Sequence, residues 1–456
     1  MFIGLFFVLM GYIVYFNVVK SKDIINSPYN SRQDSFADRV VRGSILDRNG
    51  EVLAETQVAD DGSETRVYPY GDVFSHVIGY ASQGKSGLES VENFNLLTSN
   101  AFFLEKLMKE FKDEKNIGDS VVTTLDANLQ QAAYDALGDN NGAVIVMEAG
   151  TGKILSMVSK PTFDPNQINE EWDYLNSNES GSALLNRATQ GSYAPGSTFK
   201  MVTALEYMRE FDDYASYWYT CGGEITQDGT TIHCFDSTAH GDQDLLASFA
   251  NSCNSSFANI GLQLDRATYA KTAKELLFNS KLPGVLPYSK SRFVLNSQST
   301  SADAMMTAMG QGETQVSPYH MALITSAIAN GGKLMEPYLV DTITNYGGAK
   351  VKKNMPEKYK TLMTPEEAAQ LTEYMTAVVT QGTGNVLGGE SYTVAGKTGT
   401  AEYSTNKEQN HSWFVGFTNV DNPELVISVI VEGSDGSAGT KAVPIAHDIL
   451  NAYYYN

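Results

Sequence analysis

The chain has 456 residues, of which 42% are hydrophobic, so it is long enough for two or more domains with a sizeable core and is too apolar for a disordered protein. Its 32 basic and 53 acidic residues give a net charge of −21, which argues against a nucleic-acid partner and favours an acidic, solvated exterior. Three cysteines are too few for a disulfide scaffold.

The first predicted element is an apolar segment at residues 2–19. Its sequence, FIGLFFVLMGYIVYFNVV, carries no charged side chain and is long enough to cross a bilayer with some help from its flanks. No small-residue cleavage site follows it, which favours an uncleaved anchor over a removed signal peptide. Lys20 and Lys22 come after the segment, and by the positive-inside rule alone they would favour an external N-terminus. The sequence therefore predicts one transmembrane anchor within residues 1–19.

The next stretch, residues 20–118, is polar and interrupted by turns. Runs such as RGSILDRNG and YPYGDVFSHVIGYAS are short and strand-like, with Asn-Gly, Asp-Gly and Pro between them. This texture predicts a small separate domain.

From residue 120 the pattern becomes more regular. VVTTLDANLQQAAYDAL predicts a strand, a turn and a helix, and GAVIVMEAGTGKILSMVS predicts a hairpin. A long helical middle follows, after which VAGKTGTAEY, HSWFVGFTNV and ELVISVIVEG predict three more strands. Strands at both ends of a helical middle predict one sheet of an α+β domain.

A candidate nucleophile lies in the helical middle, in the stretch YAPGSTFK. Pro195 and Gly196 disfavour helix, whereas TFKMVTALEYM has apolar residues at helical spacing, so Ser197 is predicted at a helix start. Lys200, three residues later, can bring its amine alongside the Ser197 hydroxyl and take its proton if burial lowers the pKa of the amine. Taken alone, this motif is more often a capping serine with a solvated lysine.

Two further motifs follow at plausible positions. Ser252-Cys253-Asn254 interrupts a helical pattern, and Lys397-Thr398-Gly399 lies on a predicted strand. Each is common by itself, but the order S-x-x-K, S-x-N, K-T-G is the set of motifs found in penicillin-binding proteins and class A β-lactamases.

With these motifs the chain resembles the class B penicillin-binding proteins, the monofunctional transpeptidases of bacterial cell-wall synthesis. The resemblance extends from RGSILDRNG and SGLESVENFN to MGQGETQVSPYHMALITSAIANGG and GKTGTAE. It implies an α+β fold, in which a transpeptidase domain like that of the serine β-lactamases, a sheet flanked by helices, stands on a small N-terminal pedestal with one transmembrane helix. The predicted domains are an anchor at 1–19, a pedestal at 20–118 and a transpeptidase domain at 119–456.

The resemblance also implies roles for particular residues. Ser197 would be the nucleophile and Lys200 its base, with Ser252 relaying a proton and Asn254 holding Lys200 and the substrate amide. Lys397 would add positive potential near a substrate carboxylate. That carboxylate would be bound by the hydroxyls of Thr398 and Thr400, beside Gly399, whose small size lets backbone approach. The backbone N–H groups of Ser197 and Thr400 would form the oxyanion hole.

Other polar residues keep more than one interpretation. Cys221 and Cys234 could form a disulfide, remain free, or bind zinc with His233 or His240; their spacing does not fit common zinc patterns, so no metal and no cofactor is predicted. Cys253, in the S-x-N motif, is expected to be harmless, and His240 to be structural. Three further candidates, Gln311, His411 and Trp413, are expected to shape the floor of the site and the core. Arg42 and Arg48 are expected to be internal ion-pair partners.

Three functions fit these residues. The first is a D,D-transpeptidase that cross-links stem peptides ending in D-Ala-D-Ala and binds β-lactams covalently. The second is hydrolysis, as a D,D-carboxypeptidase or β-lactamase, and the third is a catalytically silent sensor or scaffold. The family's topology implies a single-pass protein of the cell membrane with an extracytoplasmic catalytic domain, and a membrane glycan polymerase of the SEDS family as partner.

Overall fold

The computed structural model describes residues 2–16, 39–112, 114–402, 410–434 and 441–455, and the chain forms two compact units. The first unit comprises Met1–Thr124, Phe163–Glu179 and Val340–Met355, and the second comprises Leu125–Thr162, Ser180–Leu339 and Pro356–Asn456. Two stretches that lie later in the sequence therefore pack with the N-terminal residues.

The strands of the described residues are numbered in chain order. They are β1 (Val40–Val41), β2 (Ile45–Leu46), β3 (Val52–Val58), β4 (Glu64–Val67), β5 (Asn116–Ile117), β6 (Ser120–Thr123), β7 (Gly142–Glu148), β8 (Ile154–Lys160), β9 (Trp218–Cys221), β10 (Glu224–Gln227), β11 (Thr230–His233), β12 (Gly241–Asp244), β13 (Lys333–Met335), β14 (Val340–Thr344), β15 (Lys350–Lys353), β16 (Lys358–Thr361), β17 (Val394–Glu402), β18 (Asn410–Thr418) and β19 (Leu425–Ser434).

The α-helices of the described residues are numbered in the same way. They are α1 (Phe2–Tyr15), α2 (Ser75–Ile78), α3 (Gly87–Val91), α4 (Asn93–Leu96), α5 (Phe103–Phe111), α6 (Ala127–Leu137), α7 (Trp172–Leu175), α8 (Arg187–Gln190), α9 (Lys200–Glu210), α10 (Leu245–Ala250), α11 (Asn254–Gln263), α12 (Arg266–Glu275), α13 (Ser301–Ala308), α14 (Pro318–Ala329), α15 (Pro365–Gln381) and α16 (Ala442–Tyr455).

The first unit is built on a six-stranded sheet with the order β15-β14-β6-β2-β3-β4. Strand β2 is parallel to β6, with Ile45 opposite Val121, and the other neighbours are antiparallel. The two strands that extend the sheet beyond β6, β14 and β15, come from residues more than two hundred positions later in the chain. This sheet therefore forms only after a long loop has closed.

A buried ion cluster stabilises the first unit. Glu89 is fully buried, and its carboxylate accepts hydrogen bonds from Arg42 Nε at 2.6 Å and from Arg66 Nε at 2.7 Å. Burial opposes ionisation of Glu89, but the two guanidinium groups outweigh it and hold the pKa of the carboxyl below its ordinary value. The prediction that Arg42 is an internal ion-pair partner is confirmed, whereas Arg48 is exposed.

Replacing Glu89 with glutamine is expected to lower the free energy of unfolding by about 3–5 kcal/mol, because it leaves two buried guanidinium groups without their counter-charge. Urea unfolding of the full chain, followed by circular dichroism, measures the loss. Glu51→Gln, at an exposed carboxylate of the same unit, is the control and should change stability by less than about 0.5 kcal/mol. Equal stability of the two variants would contradict a structural role for the cluster.

The second unit contains a five-stranded antiparallel sheet with the order β17-β18-β19-β7-β8. The predicted hairpin is confirmed as β7 and β8, and the three predicted C-terminal strands are confirmed as β17, β18 and β19. The two ends of the domain meet where β19 pairs with β7, with Val429 opposite Val144. Strands β17 and β8 are consequently the two edge strands of the described sheet.

Helices cover both faces of this sheet. Residues of α6 and α16 share one apolar core with alternate residues of the strands, such as Val144, Val146, Ile427 and Val429. Helix α14, which is buried along its whole length, contacts β7, β18 and β19 from the other side. The predicted α+β fold, a sheet flanked by helices, is confirmed.

The N-terminal segment is only partly covered by the described residues. Helix α1 has 14 residues, and residues 17–19 of the predicted anchor lie outside the described residues. Within the part of the chain that the structure describes, no helix has both the length and the apolar character needed to cross a membrane. The anchor and the domain boundaries at residues 19 and 118 stay predictions.

Candidate active site

Ser197 lies in a 3-10 turn, Gly196–Phe199, that runs directly into α9 and is called the serine turn below. Gly196 has a φ of +54°, a conformation that glycine adopts without steric cost. A β-carbon at Gly196 would lie 2.3 Å from the carbonyl oxygen of Thr400, so only glycine allows the turn to approach strand β17 this closely. Ser197 is half-buried, and its predicted position at a helix start is confirmed.

Lys200, the first residue of α9, is fully buried. Its Nζ donates to the carbonyl oxygen of Ser252 at 2.7 Å and to Asn254 Oδ1 at 2.8 Å, and it lies 3.3 Å from Ser252 Oγ. The ring centroid of Phe257 lies 5.3 Å from the same nitrogen. The S-x-N motif thus fixes the amine of Lys200, the residue that follows the serine turn.

The S-x-N motif joins α10 to α11 in a constrained conformation. Ser252 has a φ of +56°, which is unfavourable for a residue with a side chain and is typical of functional sites. Asn254 begins α11, and its Nδ2 donates to the carbonyl oxygen of His233 at 3.1 Å. The motif is therefore held both by the start of a helix and by strand β11.

Lys397 reaches the same point from strand β17. It is fully buried, and its Nζ donates to Ser252 Oγ at 2.9 Å and to the carbonyl oxygen of Thr398 at 3.1 Å. The hydroxyl of Ser252 therefore lies between two lysine amines. The structure brings together Lys200, Ser252, Asn254 and Lys397, which the sequence places up to 197 residues apart.

Burial lowers the pKa of both lysines. Desolvation lowers the pKa of Lys200 to about 8, although the thiols of Cys253 and Cys234 oppose this effect. Desolvation, together with the charge of Lys200, lowers the pKa of Lys397 well below its ordinary value. A neutral amine at Lys200, able to accept a proton, is therefore accessible near neutral pH.

The predicted carboxylate-binding residues lie along edge strand β17. The Thr398 hydroxyl is buried and lies 2.6 Å from the hydroxyl of Thr383, whereas the Thr400 hydroxyl has no hydrogen-bond partner among the described residues. A β-carbon at Gly399 would lie 3.0 Å from Thr198 Cγ2, so glycine keeps β17 close to the serine turn. The Thr400 hydroxyl is buried, and its capacity for hydrogen bonding is unused among the described residues.

Thr383 is a residue of this region that the sequence interpretation missed. It is exposed and follows α15, and its hydroxyl contacts that of Thr398. The available signal was the short polar stretch QGTGN after a helical pattern, which is typical of any loop. Only the contact with Thr398 distinguishes Thr383 from other loop residues.

Three further sequence candidates surround the serine turn. Gln311 Nε2 lies 3.4 Å from the carbonyl oxygen of Thr400, and the buried Trp413 donates from Nε1 to the carbonyl oxygen of Ala194 at 3.1 Å. The ring of His411 packs edge-on against Tyr193, with centroids 5.2 Å apart. Trp413 therefore holds the backbone just before the serine turn, whereas Gln311 and His411 contact Thr400 and Tyr193.

The arrangement can perform acyl transfer. It has a serine at a helix start, a buried lysine of lowered pKa one turn later, and a second hydroxyl between that lysine and another. A lysine amine and a threonine hydroxyl at an edge strand are groups that can bind an extended peptide ending in a carboxylate.

Family models match most of the chain. The model described as "Penicillin binding protein transpeptidase domain" matches residues 142–451, and the model described as "Penicillin binding protein A dimerisation domain" matches residues 42–121. Among curated proteins, "Peptidoglycan D,D-transpeptidase PbpA" of Mycolicibacterium smegmatis is 31% identical over 441 residues, which cover 90% of this chain and 88% of that protein. "Stage V sporulation protein D" of Bacillus subtilis is 29% identical, and the aligned residues cover 96% of this chain and 70% of that protein.

Solved structures agree with this similarity. Penicillin-binding protein A from Mycobacterium tuberculosis was solved as its penicillin G acyl-enzyme complex and is 29% identical to this chain. The structural match covers 90% of this chain and 99% of that chain, with a TM-score of 0.82. The D,D-transpeptidase domain of a peptidoglycan glycosyltransferase from Eggerthella lenta is 30% identical. The match covers 91% of this chain and 99% of that chain, again with a TM-score of 0.82.

Proposed function

Because the chain belongs to the family of penicillin-binding protein transpeptidases, we propose that it is a serine D,D-transpeptidase that cross-links peptidoglycan stem peptides and is acylated by β-lactams. The predicted family membership is confirmed. The single observation that carries the mechanism is the buried amine of Lys200, which Ser252 and Asn254 hold one turn from Ser197. Relatives named as D,D-transpeptidases and as a penicillin acyl-enzyme support the reaction class.

The first step forms an acyl-enzyme on Ser197. Its Oγ attacks the carbonyl carbon of the penultimate D-alanine, and its proton passes to the neutral amine of Lys200. The backbone N–H groups of Ser197 and Thr400 bind the oxyanion that appears in the transition state. The close approach of the serine turn to Thr400 supports this pairing of donors.

The departing D-alanine takes the proton through Ser252. The hydroxyl of Ser252 lies 3.3 Å from Lys200 Nζ and 2.9 Å from Lys397 Nζ, so it can receive a proton from Lys200 and pass one to the leaving amine. The carbon–nitrogen bond then breaks, leaving an ester on Ser197. In the second step an amine of a neighbouring stem peptide attacks this ester, and the oxygen of Ser197 regains a proton.

The substrate's terminal carboxylate is proposed to lie along β17. Lys397 supplies positive potential and Thr400 supplies a hydroxyl without a partner among the described residues. Thr398 contributes with Thr383, since their hydroxyls already share a hydrogen bond that a carboxylate can join. Gly399 leaves room for the peptide backbone to pair with the edge strand. Asn254, which holds Lys200, also binds the substrate amide.

Transfer to an amine distinguishes cross-linking from hydrolysis. Purified chain incubated with polymerised glycan that carries stem peptides is expected to produce cross-linked peptide dimers, detected by mass spectrometry after digestion of the glycan. The Ser197→Ala variant should give none. Shortened, uncross-linked peptides alone would indicate a carboxypeptidase, and unchanged peptides from a chain that still binds penicillin covalently would indicate a sensor or scaffold.

Location and partner are also proposed. The uncharged segment at residues 2–19 would anchor the chain as a single-pass protein of the cell membrane, with the pedestal at 20–118 and the catalytic domain at 119–456 on the extracytoplasmic side. We further propose a SEDS-family glycan polymerase as the membrane partner. Co-purification that survives Ser197→Ala, and that is lost when residues 1–19 are exchanged for the anchor of an unrelated membrane protein, would support that partner.

A further inference from the structure

Four possible metal-ligand atoms converge beside the S-x-N motif. They are the sulfurs of Cys221, Cys234 and Cys253 and Nδ1 of His240, and all lie within 4.8 Å of one another. The Cys221 and Cys234 sulfurs are 3.7 Å apart, as are those of Cys234 and Cys253, and Cys221 Sγ lies 3.4 Å from His240 Nδ1. The three cysteines are buried and form no disulfide with one another, and the histidine is half-buried.

The four residues come from separate elements of the second unit. Cys221 ends β9, and His240 immediately precedes β12, which pairs with β9 so that Gly241 lies opposite Cys221. Cys234 follows β11, and Cys253 caps the N-terminus of α11. Tertiary folding, and not a local motif, brings these ligands together, which explains why their spacing matches no common zinc pattern.

The distances agree with one tetrahedral ion. With zinc–sulfur bonds of about 2.3 Å, two thiolates of a tetrahedral site lie about 3.8 Å apart, and with a zinc–nitrogen bond of about 2.0 Å a thiolate and an imidazole nitrogen lie about 3.5 Å apart. The corresponding distances here are 3.7 and 3.4 Å. Three of the six pairs of ligand atoms therefore have the spacing expected around one tetrahedral zinc ion, and all four atoms lie within 4.8 Å of one another.

We infer that Cys221, Cys234, Cys253 and His240 form a structural site for one zinc ion. Three soft thiolates with one imidazole select zinc over magnesium or calcium, which prefer oxygen ligands. Four protein ligands leave no coordination position for water or substrate, so the ion is structural and takes no chemical step. This site replaces the expectations that no metal binds and that Cys253 is merely harmless.

Hydrogen bonds to the sulfurs suit metal-bound thiolates. The backbone N–H of Gly223 donates to Cys221 Sγ, and the backbone N–H of Ser256 donates to Cys253 Sγ, both at 3.4 Å. The hydroxyl of Ser255 donates to Cys221 Sγ at 3.1 Å. Such outer donors orient thiolate ligands and compensate part of their charge. Hydrogen bonding to Ser255 is not a sufficient reason for four ligand atoms to converge, because its single hydroxyl proton can be donated to only one sulfur at a time.

The ion would also position the groups that hold Lys200. Cys253 stands between Ser252 and Asn254, both of which contact the lysine amine. Cys234 follows His233, whose carbonyl oxygen accepts the hydrogen bond from the Asn254 side chain. A metal bound to Cys234 and Cys253 therefore links the two segments that place Asn254. Cys253 and Cys234 are positioning residues in this scheme, since they touch neither substrate nor the reacting atoms.

Metal analysis of the purified full chain tests the site. We expect about one zinc per chain by inductively coupled plasma mass spectrometry, and at least a tenfold lower content in Cys221→Ser, Cys253→Ser and His240→Ala. His233→Ala is the matched control, because this exposed histidine of the same region pairs with Glu224 and should leave the zinc content unchanged. His240→Cys replaces the imidazole with a fourth thiolate and should also retain zinc. Wild-type chain that is folded and holds no zinc would overturn the inference, as would wild-type zinc content in the three ligand variants.

Two further measurements apply if the ligand variants fail to fold. Cobalt substituted into the wild-type chain should show thiolate-to-cobalt charge-transfer absorption and the intense visible bands of tetrahedral coordination. Weak octahedral bands would overturn the site.

Zinc removal from the wild-type chain should slow penicillin acylation at least tenfold, with recovery on addition of Zn²⁺ and not Mg²⁺. An unchanged rate would overturn the positioning role. Ser197→Ala should keep its full zinc content, so failure of the metal site and failure of the proposed catalysis are distinguishable.

Discussion

Replacement of Ser197 by alanine is expected to abolish covalent labelling of the chain by a fluorescent penicillin. The ring amide of a β-lactam resembles the D-alanyl-D-alanine bond, and its acyl group can remain on the protein only if an oxygen nucleophile is present. Ser197 is half-buried at the start of α9, so removing one oxygen atom should leave the fold unchanged. Gel fluorescence and the intact mass of the protein measure the labelled fraction.

Ser192→Ala provides the matched control for this result. Ser192 is an exposed serine five residues earlier in the same stretch, and its variant should be labelled like the wild type. If folded Ser197→Ala still carries a penicilloyl group, another residue is the nucleophile and the proposed mechanism fails. If the folded wild type takes no label, the chain is a scaffold, or its site forms only in the presence of its membrane partner.

Replacement of Lys200 by methionine is expected to slow acylation by about 10²–10⁴-fold, the usual contribution of a general base. Methionine fills a similar volume in this fully buried position but cannot accept a proton. The decrease in acylation rate should therefore come from the missing base and not from altered packing. Stopped-flow acylation kinetics with a chromogenic β-lactam measure the rate. Lys271→Met, at an exposed lysine of α12, should acylate at the wild-type rate.

The pH dependence of the wild type gives an independent check on Lys200. Because burial lowers the pKa of this amine to about 8, the neutral form that accepts a proton becomes more abundant as pH rises through that value. The acylation rate should therefore increase with pH, fall about tenfold for each unit of pH well below the pKa, and level off above it. A profile that is flat across this range, or a Lys200→Met variant with an unchanged profile, would exclude Lys200 as the base.

Local patterns in the sequence were sufficient for much of the fold. The hairpin of β7 and β8 and the strands β18 and β19 follow from runs of buried β-branched and apolar residues bounded by turn residues. The position of Ser197 follows from a Pro-Gly break before a helical pattern. These features depend on residues close together in the chain, which is why periodicity and turn chemistry predict them.

The candidate site was accessible from sequence through motif order and family resemblance. Ser197, Lys200, Ser252, Asn254 and Lys397 could be chosen because three short motifs occur in one order, each on a suitable element. Thr383 could not be chosen, because its loop sequence is ordinary and its significance comes from a hydroxyl contact with Thr398, 15 residues away. Such contacts depend on how a loop packs against an edge strand.

The sequence by itself determined the elements, the order of motifs and the chemical type of each candidate group. Only the tertiary structure decided that Val340–Met355 packs with the N-terminal unit, and that His240 and Cys253, and not His233, join Cys221 and Cys234. The physical reason is the same in each case. Secondary structure responds to neighbours within a few residues, whereas the distance between side chains far apart in sequence is set by loop closure and by the packing of whole elements, which no local pattern encodes.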